Sequence, residues 1–140
     1  MSRVFWDTNL FIYLFEGTGA LAKRVRDLRR AMLERGDQLL TSTLTLGEVL
    51  VKPLERGDEE LARKYQEAIT TTAVTLPLDV KAARIYAALR SDRSLRAPEA
   101  IQLACAAAAS VDLFITNNAR LQSKHVQGIQ FIVSLDRAPF

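Results

Sequence analysis

Short apolar runs alternate with amphipathic stretches along this chain. Residues 4–6 form an apolar run that stops at Asp7, which predicts a first strand ending on a carboxylate. Residues 9–15 follow as a short helix closed by Gly17. Leu21, Val25, Leu28 and Met32 recur at helical spacing and predict a helix over residues 20–35 that ends at Gly36. Residues 38–42 read as a second strand. Thr45 opens the next helix, with Leu46, Val49 and Leu50 on its apolar side, and Pro53 predicts a kink or an early end. Asp58 is a natural N-cap for a helix carrying Leu61, Tyr65, Ala68 and Ile69. Residues 73–76 form a third strand, and Asp79 caps a helix carrying Val80, Ala83, Ala87 and Arg90. After a polar loop, Pro98 opens a helix over residues 99–110 that is apolar nearly all round and therefore buried. Residues 113–115 and 131–133 are the fourth and fifth strands, with a short helix expected over residues 118–123.

Short apolar strands alternating with helices imply parallel βαβ units joined by right-handed crossovers. The expected architecture is a doubly wound, three-layer α/β/α domain with a parallel sheet, spanning residues 1–140 as one unit. An apolar fraction of 49% with 25% charged residues is that of an ordinary globular protein, without repeats or low-complexity tracts. No apolar run is long enough to span a membrane, and the N-terminus enters strand pattern at once rather than reading as a signal peptide. The single Cys105 excludes an internal disulfide and fits a reducing cytoplasm. A net charge of +3 permits a nucleic-acid partner without requiring one.

Four scattered polar residues fall at one place in this topology. Asp7 follows strand one, Glu48 begins the helix after strand two, and Asn118 begins the segment after strand four. Glu99 starts a helix that runs antiparallel to strand four, so all four lie at the carboxyl edge of the sheet, where open α/β sheets bind ligands. Crowded carboxylates resist ionising together, and a divalent cation removes that penalty. Such a cation acidifies water and neutralises phosphate oxygens, so the pattern points to phosphodiester hydrolysis. Each acid also has a structural explanation. The run from Thr45 to Glu48 matches a capping box, Glu99 lies in a first helical turn, and Asp7 can cap the turn after its strand. The conjunction favours function. Arg96, just ahead of Glu99, is placed to touch phosphate. The helix face carrying Lys23, Arg24, Arg26, Arg29 and Arg30 is ordinarily a solvated one, but could grip RNA or an acidic protein segment. His125 reads as a surface residue, and Cys105, Phe5 and Trp6 as core.

The motifs Val4-Phe5-Trp6-Asp7-Thr8-Asn9, Thr45-Leu46-Gly47-Glu48-Val49, Leu95 to Ala104, and Phe114-Ile115-Thr116-Asn117-Asn118 with Arg120-Leu121 resemble, in order and spacing, those of PIN-domain proteins. They are most similar to VapC-like toxins of toxin–antitoxin pairs. The resemblance implies a strand order 3-2-1-4-5 and a Mg²⁺- or Mn²⁺-dependent endoribonuclease, often a homodimer, inhibited by a VapB-like antitoxin. It implies metal ligation by Asp7, Glu48, Glu99 and Asn118, with the first three catalytic. Asn9 and Thr116 match polar positions beside the family's site. Glu99 stands where the family usually carries Asp, and Asn118 where many members carry a fourth Asp. The competing readings are a PIN-like RNA- or protein-binding module with weakened catalysis, and an aspartyl-phosphate-forming phosphatase. The latter usually has a second Asp two residues after the first, where this chain has Asn9. No P-loop, dinucleotide-binding glycine fingerprint or zinc-type Cys/His set is present.

Overall fold

The sheet is built outward from the first apolar run of the chain. A computed structural model describes residues 1–140. In it β1 (Arg3–Trp6) is flanked by β2 (Gln38–Ser42) and β4 (Val111–Ile115), with β3 (Val74–Leu76) and β5 (Ile129–Val133) at the edges. The five strands are all parallel and run in the order β3-β2-β1-β4-β5. A central parallel strand is covered on both faces, which is why Val4, Phe5 and Trp6 are apolar in succession and fully buried.

Strand alternation sorts the core into two layers. Val4, Trp6, Leu39 and Ile115 pack with residues of α1 (Thr8–Glu16), α2 (Ala20–Arg35), α3 (Thr43–Glu55) and α4 (Glu59–Thr72). Phe5, Leu40 and Phe114 pack against α5 (Val80–Leu89) and α6 (Ala97–Ala108) on the opposite face. Phe5 and Phe114 stack with ring centroids 5.0 Å apart. The chain winds outward through β2 and β3, then returns past β1 to β4 with its helices on the other face. The direction of winding therefore reverses between β1 and β4, and a crevice opens at their carboxyl ends.

Most expected elements are present, with informative differences. Helix α3 begins at Thr43 rather than Thr45, because Ser42 is the N-cap and accepts the Thr45 N–H. Thr45 is thereby buried inside the first turn, and the capping-box explanation of Glu48 falls away. Pro53 does not stop α3 at once; the helix runs on to Glu55. The buried side of α5 is Ala82 with half-buried Ile85 and Leu89, whereas Val80 is 83% exposed and Ala83 and Ala87 face outward. Strands β4 and β5 each begin two residues earlier than expected. Residues 118–123 form turns rather than a helix, with the Asn118 side chain taking the Arg120 N–H. A 3-10 turn at Leu135–Arg137 had no signal in the pattern. No helix is long and apolar enough to cross a membrane.

Candidate functional site

Asp7 is fixed by the end of the sheet. Its N–H continues the ladder to the Ile115 carbonyl at 3.0 Å, and the Thr116 N–H does the same to Val133. This register sets Asp7 and Thr116 side by side as their strands end, and the Thr116 hydroxyl donates to Asp7 Oδ2 at 2.7 Å. Asp7 Oδ1 accepts from the Thr8 N–H at 2.8 Å, making Asp7 the N-cap of α1, and from Gln102 Nε2 at 3.3 Å. The capping explanation of Asp7 is thus real, yet it occupies only one face of the carboxylate. Burial pushes the Asp7 carboxyl above the ordinary carboxylate range. Its three hydrogen bonds oppose the shift, and the nearby Glu99 charge adds to it.

Two arms of hydrogen bonds extend from Asp7. One runs through Thr116, whose oxygen accepts the Asn118 N–H at 3.0 Å, to the Asn118 amide, which donates to Glu99 Oε2 at 2.5 Å. The other runs through Gln102. Its Nε2 lies 2.7 Å from Thr45 Oγ1 and 3.0 Å from Thr8 Oγ1, and Thr8 donates to Glu48 Oε1 at 2.6 Å. Because the single Thr8 hydroxyl proton goes to Glu48, Thr45 is the donor in its 3.1 Å contact with Thr8. Gln102 Oε1 accepts from the buried Ser42 hydroxyl. Both arms reach the same open cleft of about 470 Å³, lined among others by Asp7, Asn9, Glu48, Glu99 and Asn118.

Asp7, Glu48, Glu99 and Asn118 therefore share one cleft, as chain order predicts. They are not, however, gathered into a cage: no three Asp, Glu, His or Cys side chains lie close enough together to hold an ion as they stand. Glu48 is tied to Thr8, and Glu99 is engaged on both of its oxygens. Its Oε1 accepts the Arg96 N–H at 2.8 Å, closing the first turn of α6, and its Oε2 is shared by Asn118 and the Arg120 guanidinium. Here the helix-cap reading of Glu99 is correct alongside its place in the cleft. Asn9 lines the cleft with a buried Oδ1 that has no hydrogen-bond partner.

Of the basic residues, Arg96 is exposed at the head of α6, two residues from the cleft wall at Pro98. Lys23, Arg26 and Arg30 on α2 do not line the cleft, and Lys23 and Arg30 pair with Asp27 of their own helix. Arg29 leaves that exposed row, being half-buried with Nη1 unpartnered. Thr8, Gln102, Lys52 and Glu16 line the cleft without having been singled out from sequence. Lys52 lies one turn beyond Glu48 and pairs with Glu16 at 3.6 Å. Gln102 had a usable signal: apart from Glu99, one turn earlier, it is the one strongly polar residue in a helix of small and apolar groups.

An acid-rimmed crevice at the winding reversal of a 3-2-1-4-5 parallel sheet defines a class, and residues 4–126 match the family model described as PIN domain. The chain belongs to the PIN-domain family, a family of nucleases. Its fold matches solved toxin–antitoxin structures. VapBC2 from Rickettsia felis, bound to a promoter DNA fragment, superposes with a TM-score of 0.75 at 12% identity, covering 94% of this chain and 98% of the other. DNA-bound VapBC from Salmonella typhimurium gives a TM-score of 0.74 at 18% identity, covering 96% and 99%. A toxin–antitoxin complex from Klebsiella pneumoniae gives 0.64 at 25% identity, covering 90% and 94%. No curated protein matches in sequence.

Proposed function

We propose that this protein is a Mg²⁺- or Mn²⁺-dependent endoribonuclease, the toxin of a type II toxin–antitoxin pair, acting in the cytoplasm as a homodimer and restrained by a VapB-like antitoxin. The observation that carries the reading is the half-buried, desolvated Asp7 carboxylate at the winding reversal, facing a cleft it shares with Glu48, Glu99 and Asn118. The donor set suits a hard divalent cation. It consists of oxygens, Asp7 is held by burial and Glu99 at a raised proton affinity that a cation would relieve, and the Asn9 oxygen waits without a partner. Asp7, Glu48 and Glu99 would hold the cation, with Asn118 and Asn9 offering neutral oxygens. A cation held there would supply an acidified water and neutralise phosphate charge. Thr116, Thr8 and Gln102 keep the acids oriented, Lys52 lines the cleft, and the exposed Arg96 lies two residues from its wall at Pro98, where a polyanion would approach.

The test is cleavage of total RNA by the purified protein with Mg²⁺ or Mn²⁺. Wild type is expected to cut, EDTA to stop it, and Asp7→Asn to lower the rate by at least about a hundredfold. A second reading, a PIN-like module with weakened catalysis, draws on the engagement of Glu99 by the α6 cap and Arg120. It predicts RNA binding without cleavage under every metal, and recovery of cutting in Asn118→Asp.

A further inference from the structure

Glu99 lines the cleft, yet its two oxygens already accept from three donors, the Arg96 N–H, Asn118 and Arg120. The strongest is Arg120, which reaches back from the turn after β4. Its other contact is the Ser94 carbonyl at 3.3 Å, and it is 45% exposed on its side chain where Glu99 is 11% exposed. Beside it Lys124 spans the same two loops, to Asp92 at 2.8 Å and to Ser94. This second pair anchors the loop ahead of α6, so Arg120 is left with one charged partner, Glu99.

We propose that Arg120 is a positioning residue that serves as the built-in counterion of Glu99, competing with the divalent cation for this carboxylate. The inference rests on the metal-dependent reading above. Holding this carboxylate on Arg120 accounts for acids that line one cleft without forming a cage. The pairing also satisfies Glu99 when no cation is present. Without it, a nearly buried carboxylate would face Asp7 unneutralised, and that repulsion already contributes to the raised Asp7 proton affinity. Cation binding then requires Glu99 to leave the guanidinium. The freed Arg120 remains half-exposed beside the cleft, where phosphate can take the place of the carboxylate. Arg120 thus sets the affinity for metal rather than performing chemistry.

The experiment is Mn²⁺ titration by calorimetry, without RNA, of wild type, Arg120→Ala, Arg120→Lys, Glu99→Gln and the double variant Glu99→Gln/Arg120→Ala. Arg120→Ala should bind Mn²⁺ roughly three- to tenfold more tightly than wild type, and Arg120→Lys should fall between. In the Glu99→Gln background the same substitution should change affinity by less than about twofold, because the competition acts through that carboxylate. Arg120→Ala binding Mn²⁺ no better than wild type overturns the proposal. So does equal tightening in the Glu99→Gln background, which marks a general field effect of lost positive charge. Circular dichroism of each variant separates misfolding from lost binding, and a misfolded Arg120→Ala leaves the Arg120→Lys comparison to decide. Absence of Mn²⁺ binding in every folded protein defeats the metal-dependent reading itself, and the counterion role with it.

Discussion

Gln102→Leu removes the hub of the cleft while keeping most of its volume. Gln102 is 2% exposed and touches Ser42, Thr45, Thr8 and Asp7. Leucine leaves the Ser42 hydroxyl without its acceptor in a fully buried site, and takes a donor from Thr8. Each of the two affected polar groups costs about 1–3 kcal/mol, and the added apolar contact offsets part of the sum, so a net loss of about 2–4 kcal/mol is expected. For a chain of this size that lowers Tm by about 7–14 °C. Asp7 also loses one of the hydrogen bonds that oppose its raised proton affinity, so its carboxyl rises further. The acidic limb of the cleavage–pH profile should move to higher pH, since Asp7 must be ionised to receive a cation. The assays are thermal unfolding by circular dichroism in EDTA and initial cleavage rates across pH. A variant as stable as wild type with an unmoved acidic limb would refute the view that Gln102 holds the carboxylate in place.

Further outcomes follow from the same geometry. In EDTA, Asp7→Asn should stabilise the fold relative to wild type increasingly as pH rises. Folded Asp7 keeps its proton to higher pH than the unfolded chain does, so wild-type stability falls as pH rises from the ordinary carboxylate pKa through the raised one; urea unfolding at pH 4 and pH 7 checks this. Asn118→Asp exchanges the amide that donates to Glu99 for a second anion. It should therefore unfold at lower temperature in EDTA yet gain more from added Mn²⁺ than wild type does, read by thermal shift. Gly128→Ala should destabilise by roughly 2–4 kcal/mol in chemical denaturation. Gly128 sits at φ +99°, and an added Cβ would lie 2.5 Å from the Ala107 carbonyl oxygen.

Chain order alone was enough to place Asp7, Glu48, Glu99 and Asn118 in one cleft, because a parallel sheet sends the ends of β1, β2 and β4 to the same edge. What order could not supply was the direction of each side chain. The cap on Arg96 and the pair with Arg120 turn Glu99 aside, and both depend on a loop conformation that has no periodicity to read. Gln102 was passed over because its helix reads as uniformly apolar, and the hydrogen bonds that make it central come from Ser42, Thr45, Thr8 and Asp7, all distant in sequence. The wrong face of α5 has a similar cause. Its alanines bury or expose equally well, so Val80 misled the pattern, whereas Ala82, Ile85 and Leu89 carry the packing. The helix expected after β4 is replaced by turns in which the Asn118 side chain takes the Arg120 N–H, a local arrangement with no periodicity to read.

The most direct measurement is a crystal grown with Mn²⁺ and recorded at the manganese absorption edge. The account predicts one anomalous peak in the cleft, within coordination distance of the Asp7 and Glu48 carboxylates. A protein that cleaves RNA while the cleft shows no peak, or while the peak lies away from Asp7, would contradict it.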